Sequence, residues 1–170
     1  MSPSVLIVED EQSIRDILTE LFELEETHTH AVATLADAQR ALSQHVYDLI
    51  VTDIRLGGQR DGGLQVMAAA GLLSPDATVI AMTAYPDEDN RLASHRLGAT
   101  HFLEKPVDLA TIAALAARCG VATAITPNVA PPSSAPPASA NGASSGPSAG
   151  GRASKRATPL LVRSSLSRGQ

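Results

Sequence analysis

Leu49-Ile50-Val51-Thr52-Asp53 is the stretch on which the fold turns. Three consecutive aliphatic residues, two of them β-branched, followed by threonine and a carboxylate, describe a strand buried on both faces that carries an acid to its C-terminal end. The pattern recurs upstream, where Val5-Leu6-Ile7-Val8 closes on Glu9-Asp10-Glu11. Downstream, Thr78-Val79-Ile80-Ala81-Met82 runs into Thr83-Ala84, and the shorter His101-Phe102-Leu103 runs into Glu104-Lys105-Pro106. Thr27 to Ala33 mixes His, Thr and Val in a loose alternation that suits a less buried strand near a sheet edge.

Helical patterns separate these runs. Ile14, Ile17, Leu18, Leu21 and Leu24 form one apolar stripe, with Arg15, Asp16, Glu20 and Glu23 between them. Thr34 and Asp37 make a capping box for a helix lined by Leu35, Ala38, Ala41 and Leu42. A turn cluster from Gly57 to Gly63 leads into a short helix from Leu64 to Leu73, stopped by Ser74-Pro75. Pro86-Asp87-Glu88 opens a helix that runs to about Leu97 and stops at Gly98. Asp108 is the natural N-cap of a last helix through about Cys119. Five βα units in about 120 residues predict a parallel sheet with helices on both faces, the doubly wound α/β class.

The formal charge of −5 hides an asymmetry. Every acidic residue lies at or before Asp108, so the body to residue 121 carries 18 acids against eight bases, a net of −10, and the five remaining bases lie from Arg152 onward. An acidic body argues against direct DNA or RNA binding by the domain, since counterion release needs clustered Lys and Arg. Two regions follow: a folded domain over 1–121, and a tail over 122–170. From Pro127 to Gly151 the tail is Pro, Ala, Ser, Gly and Asn with almost no large apolar residue, a composition expected to stay disordered. Its basic end reads first as a solvated tether, and otherwise as a segment suited to an acidic partner, a membrane surface, nucleic acid or the domain's own acidic face. Cys119 is the only cysteine, no apolar run approaches the ~18 residues of a membrane span, and the N-terminus lacks the charge and length of a signal peptide. The expected location is cytoplasmic.

Ligands of open parallel α/β sheets bind beyond the C-terminal strand ends. That rule gathers Glu9, Asp10, Asp53, Thr83 and Lys105 at one rim. Three crowded carboxylates need counter-charge, and hard oxygen donors of this kind suit Mg²⁺. A carboxylate beside Mg²⁺ can attack a phosphoryl group, with the Lys105 ammonium and the Thr83 hydroxyl serving the equatorial oxygens.

In these residues the chain resembles the receiver domains of two-component response regulators, the CheY-like superfamily: an acidic pair after the first strand, Asp after the third, Thr-Ala after the fourth, Lys-Pro after the fifth. The resemblance covers about Ser4 to Cys119. It implies a flavodoxin-like (βα)₅ sheet in the order 2-1-3-4-5, with Asp53 as phosphoacceptor, Asp10 as direct Mg²⁺ ligand, Glu9 as ligand through water, and the Arg55 backbone carbonyl completing the protein's share of the shell. It also implies Thr83 as the switch hydroxyl, Phe102 as the aromatic that turns inward on phosphorylation, and a cis Lys105-Pro106 bond. The implied partners are a sensor histidine kinase or phosphotransfer protein and a downstream protein target, with output by protein contact and no turnover enzyme activity beyond self-dephosphorylation. No effector pattern follows Cys119, so a single-domain regulator or phosphorelay intermediate is expected.

Departures from the family pattern are local. Gly57 stands where Pro is common, the loop to Leu64 is two residues longer than the common form, Glu9 replaces the more frequent Asp, and Arg55 and Tyr85 occupy positions that tune phosphoryl lifetime. Two rivals remain. A dehalogenase-type aspartyl-phosphate phosphatase would want a second Asp where Arg55 stands, and a phosphorylation-independent scaffold would bind partners regardless of Asp53. Elsewhere, His28 and His30 point to one face of a strand and could share a metal, although a polar edge face is the commoner explanation. His45, His95 and His101 show no ligand spacing, Asp61-Gly62 reads as a turn, and the glycines from Gly57 to Gly63 match no phosphate-loop motif.

Overall fold

The computed structural model describes residues 2–125. Five strands, β1 (Ser4–Val8), β2 (His28–Val32), β3 (Leu49–Asp53), β4 (Thr78–Thr83) and β5 (His101–Glu104), alternate with five helices. The helices are α1 (Gln12–Phe22), α2 (Leu35–Gln44), α3 (Gly62–Leu73), α4 (Glu88–Arg96) and α5 (Leu109–Arg118). All strand pairs are parallel, and the sheet order is β2-β1-β3-β4-β5. This is the flavodoxin-like (βα)₅ arrangement implied by the resemblance. The tail expected to be disordered lies outside the described residues from 126 onward. Its first residues, 122–125, follow the buried Val121, and the Ala124 amide donates to the Leu21 carbonyl at 2.8 Å.

The central strands read as near-continuous apolar runs because both of their faces are covered. Side chains alternate across a strand, so one set faces α1 and α5 and the other faces α2, α3 and α4. Val5, Ile7, Leu49, Val51, Ile80 and Met82 pack on the first side with Phe22 and Ile112. Leu6, Val8, Ile50, Val79 and Ala81 pack on the second with Leu42, Val66 and Met67. Phe22 is the largest fully buried side chain, which explains how a chain with two Phe, two Tyr and no Trp closes its core with aliphatics. β2 lies at the edge and is only partly buried, as its mixed composition predicts.

Caps fix the helix starts. The Asp37 amide donates to the Thr34 hydroxyl at 3.1 Å, and that hydroxyl donates to the Asp37 carboxylate at 2.7 Å. Asp87 and Asp108 accept from the amides of Asn90 and Ala110 in the same role. α4 differs from its neighbours, since Ser94 is its only buried residue and Leu92 is 44% exposed.

The sequence reading starts α3 at Leu64, whereas the helix begins two residues earlier, at Gly62. Backbone proximity explains the difference. The Gly63 amide donates to the Ile54 carbonyl at 2.9 Å, and a Cβ there would collide with the Asp53 carbonyl oxygen and stand 2.7 Å from the Ile54 Cα. Only glycine lets the first turn of α3 lie directly against the end of β3. Gly63→Ala is therefore expected to lower stability by about 2 kcal/mol or more. Urea denaturation measures this, and a loss below half that value would show that the α3 start can move aside freely.

Candidate functional site

The rim is assembled by the parallel register. Thr52 pairs with Val8 and Ala81, and Thr83 pairs with Glu104, so the ends of β1, β3, β4 and β5 come out together. Glu9 and Asp10 follow β1, Asp53 ends β3, Thr83 ends β4, and Lys105 follows β5. Carboxylate oxygens of Glu9, Asp10 and Asp53 all lie within 4.8 Å of one another. The Lys105 ammonium donates to Glu9 Oε2 at 2.7 Å and to Asp53 Oδ2 at 2.6 Å.

Each member has its own restraint. The Lys105 amide donates to the Thr83 carbonyl at 2.8 Å, and the Lys105-Pro106 bond is cis, as the family resemblance implied. Asp53 Oδ1 accepts from the Arg55 amide at 3.0 Å, which leaves Oδ2 with the ammonium. Thr83 is fully buried, and its hydroxyl accepts from the Tyr85 amide at 3.1 Å. Asp10 is exposed, and its Oδ2 accepts from the Gly57 amide at 3.0 Å.

That last contact gives the Gly57 departure a physical meaning. Gly57 and Gly58 have φ of +57° and +80°, closed by the Leu56–Gln59 bridge. Proline fixes φ near −65° and has no amide hydrogen, so it could neither make this turn nor hold Asp10.

Electrostatics follow burial. Burial pushes the Glu9 carboxyl above its ordinary pKa, and the neighbouring Asp53 charge adds to the rise, while Lys105 and the Glu11 amide pull the other way. For Lys105, burial alone would lower the pKa, but the hydrogen bonds and charges of Asp53 and Glu9 outweigh it and hold the ammonium above its ordinary value. The ammonium is therefore the fixed positive charge of the rim. Hard carboxylate oxygens in this number and spacing fit a divalent cation such as Mg²⁺ or Ca²⁺.

Phe102 sits apart from the acids. It is half-buried on the α4 side of the sheet, opposite Ala81 in register, with the Arg91 guanidinium 4.7 Å from its ring centroid. Arg55 and Tyr85, which belong to different loops, are stacked with 3.9 Å between guanidinium carbon and ring centroid. Sequence reasoning missed Arg15, whose guanidinium donates to the Glu9 and Asp10 carbonyls at 2.7 and 3.2 Å and steadies the acidic loop from α1. Its position five or six residues on, one helical turn into α1, was the available signal. Beside Lys105, an apolar cavity of about 490 Å³ opens between α1 and α5, walled by Ile14, Ile17, Met82, Val107 and Leu109.

Comparison with known proteins agrees with this geometry. Residues 5–117 match the response regulator receiver domain family, and the chain belongs to it. It is 34% identical over 113 residues to the response regulator protein PilR of Pseudomonas aeruginosa, covering 66% of this chain and 25% of that protein. It is 30% identical over 109 residues to sporulation initiation phosphotransferase F of Bacillus subtilis, covering 64% of this chain and 86% of that protein. Among solved structures, the non-phosphorylated HemR receiver domain of Leptospira biflexa superposes with a TM-score of 0.61 at 26% identity, covering 69% of this chain and 93% of that one. The chain thus spans only a quarter of PilR but most of the Bacillus subtilis relative.

Removing the ammonium tests the electrostatic account. In Lys105→Met, Glu9 stays buried beside Asp53 without a counter-charge, which should cost about 3 kcal/mol at pH 8. Glu9's folded pKa, already raised, rises further in this variant. The folded state then holds a proton that the unfolded chain releases, so stability returns as pH falls and is lost as pH rises through that interval. Denaturation at pH 5 and pH 8 reads this directly, and an equal loss at both would contradict it.

Proposed function

We propose that this chain is a phosphorelay switch in which Asp53 accepts a phosphoryl group from the phosphohistidine of a sensor kinase or phosphotransfer protein. The observation that carries this reading is Lys105 hydrogen-bonded to Asp53 and Glu9 at once, with Asp10 alongside. An Asp53 carboxylate oxygen forms the new bond to phosphorus as the phosphorus–nitrogen bond to the donor imidazole breaks, and the imidazole leaves with its electron pair and takes up a proton. Lys105 faces the charge that spreads over the equatorial oxygens, and the Thr83 hydroxyl, free to trade its contact with the Tyr85 amide, donates to one of them.

Glu9, Asp10, Asp53 and the Arg55 carbonyl are the residues that would hold Mg²⁺, which when bound neutralises carboxylate and phosphoryl charge together. The apolar cavity beside Lys105 gives a donor protein a place to dock within reach of Asp53. The readout is a population shift rather than catalysis. Movement of Thr83 toward the phosphoryl group frees space for Phe102, and α4, held by almost no apolar burial, is the element able to repack in response. Arg55 stands where a phosphatase would need its second acid, so the group is received and released rather than turned over on esters. The setting is cytoplasmic, where kinase and target would meet it; among the described residues no helix is long and apolar enough to cross a membrane.

Incubation with acetyl phosphate and Mg²⁺ should give one acid-labile phosphoryl group on the wild-type chain and none on Asp53→Asn, read by intact-protein mass spectrometry. Equal labelling of the two would place the acceptor elsewhere.

A further inference from the structure

A second cluster of ligating side chains lies at the opposite end of the strands. His28, at the start of β2, pairs with Ser4, and His30 pairs with Leu6, so the two imidazoles are two residues apart on one face of the edge strand. His45, the residue that caps the C-terminus of α2, brings a third, with its ring centroid 4.8 Å from that of His30 and the planes at 69°. All three line one surface cavity of about 320 Å³ together with Ser4 and Val46. Nothing in the phosphoryl chemistry uses them.

We propose that His28, His30 and His45 form a site for a borderline divalent transition-metal cation of the Zn²⁺ type, separate from the hard-cation site of the acidic rim. Ligand chemistry gives the selectivity: imidazole nitrogens suit Zn²⁺, Ni²⁺ and Cu²⁺, whereas Mg²⁺ prefers oxygen. Three protein nitrogens leave the fourth tetrahedral position to water or to a side chain from another molecule.

His30 is the anchor. Its Nδ1 lies 2.6 Å from the hydroxyl of Tyr47, whose side chain is only 2% exposed. The tautomer in which Nδ1–H donates to the phenol oxygen leaves Nε2 unprotonated, the outer-sphere arrangement that orients metal-bound histidines. Asp37 and Arg40 of α2, which line a neighbouring surface hollow with His30 and His45, are paired with each other at 2.9 Å. The ring nitrogens of the three histidines do not all lie within 4.8 Å of one another as the side chains stand, so the site forms only when His28 and His45, both exposed, turn about χ1 and χ2 toward His30 to reach the ~2.0–2.1 Å of a zinc–nitrogen bond.

Calorimetric titration of the tag-free full chain with Zn²⁺, with Mg²⁺ in large excess to occupy the carboxylates, tests the site. The expected result is one Zn²⁺ per chain, weakened about tenfold or more in both His28→Gln and His45→Gln, and unchanged in Asp53→Asn. Both histidines are at the surface, so these variants keep the fold, and Co²⁺ absorption in the visible range checks for nitrogen coordination independently. Zn²⁺ affinity that survives both histidine substitutions, or that is lost in Asp53→Asn alone, would overturn the proposal while leaving the phosphoryl reading intact.

Discussion

One ammonium holds the functional end of this molecule together. Lys105 reaches back 52 residues to Asp53 and 96 residues to Glu9, and without it the fully buried Glu9 carboxylate would face another acid with no counter-charge. With all three acids ionised, the rim carries three negative charges against one positive. The surplus of two is what a divalent cation would neutralise. The balance is incomplete within the protein's own residues, and that incompleteness makes the rim receptive to a cation.

The scaffold is built to make that arrangement cheap. The acids leave strands whose apolar residues are buried on both faces, so their backbone positions are set by the two cores rather than by the loops. Loop contacts then finish the aiming. Arg15 ties down the β1–α1 turn, Gly57 gives Asp10 an amide, and Gly63 brings α3 against the end of β3. Rigidity is unequal around the sheet. α1, α2, α3 and α5 each bury a set of apolar side chains or close backbone contacts, whereas α4 rests on Ser94 and on the stacking of Arg91 over Phe102. A fold in which one helix is weakly anchored beside a precise charge cluster can transmit a local change in charge without risk to the rest.

The imidazole cluster shows the same logic in a different chemistry. β2 is an edge strand, and polar side chains there cost little because one side of the strand is not covered by another. Tyr47 makes the difference between a polar edge and an organised one, since its buried hydroxyl must find a partner and finds His30.

Much of this molecule could be read from the chain alone. The apolar runs ending in Asp53 and Glu9, the stripe from Ile14 to Leu24, and the caps at Thr34, Asp87 and Asp108 are local signals, because burial on both faces, helical period and capping each act over a few residues. The strand-end rule was enough to gather Glu9, Asp10, Asp53, Thr83 and Lys105 on one rim. Tertiary structure alone decided which oxygen Lys105 takes, why residue 63 must be glycine, how Gly57 rather than proline serves Asp10, and that His45 stands beside His30. Those are contacts between segments far apart in sequence or between backbones at van der Waals distance. No periodicity records them, because they come into being only when the sheet has closed.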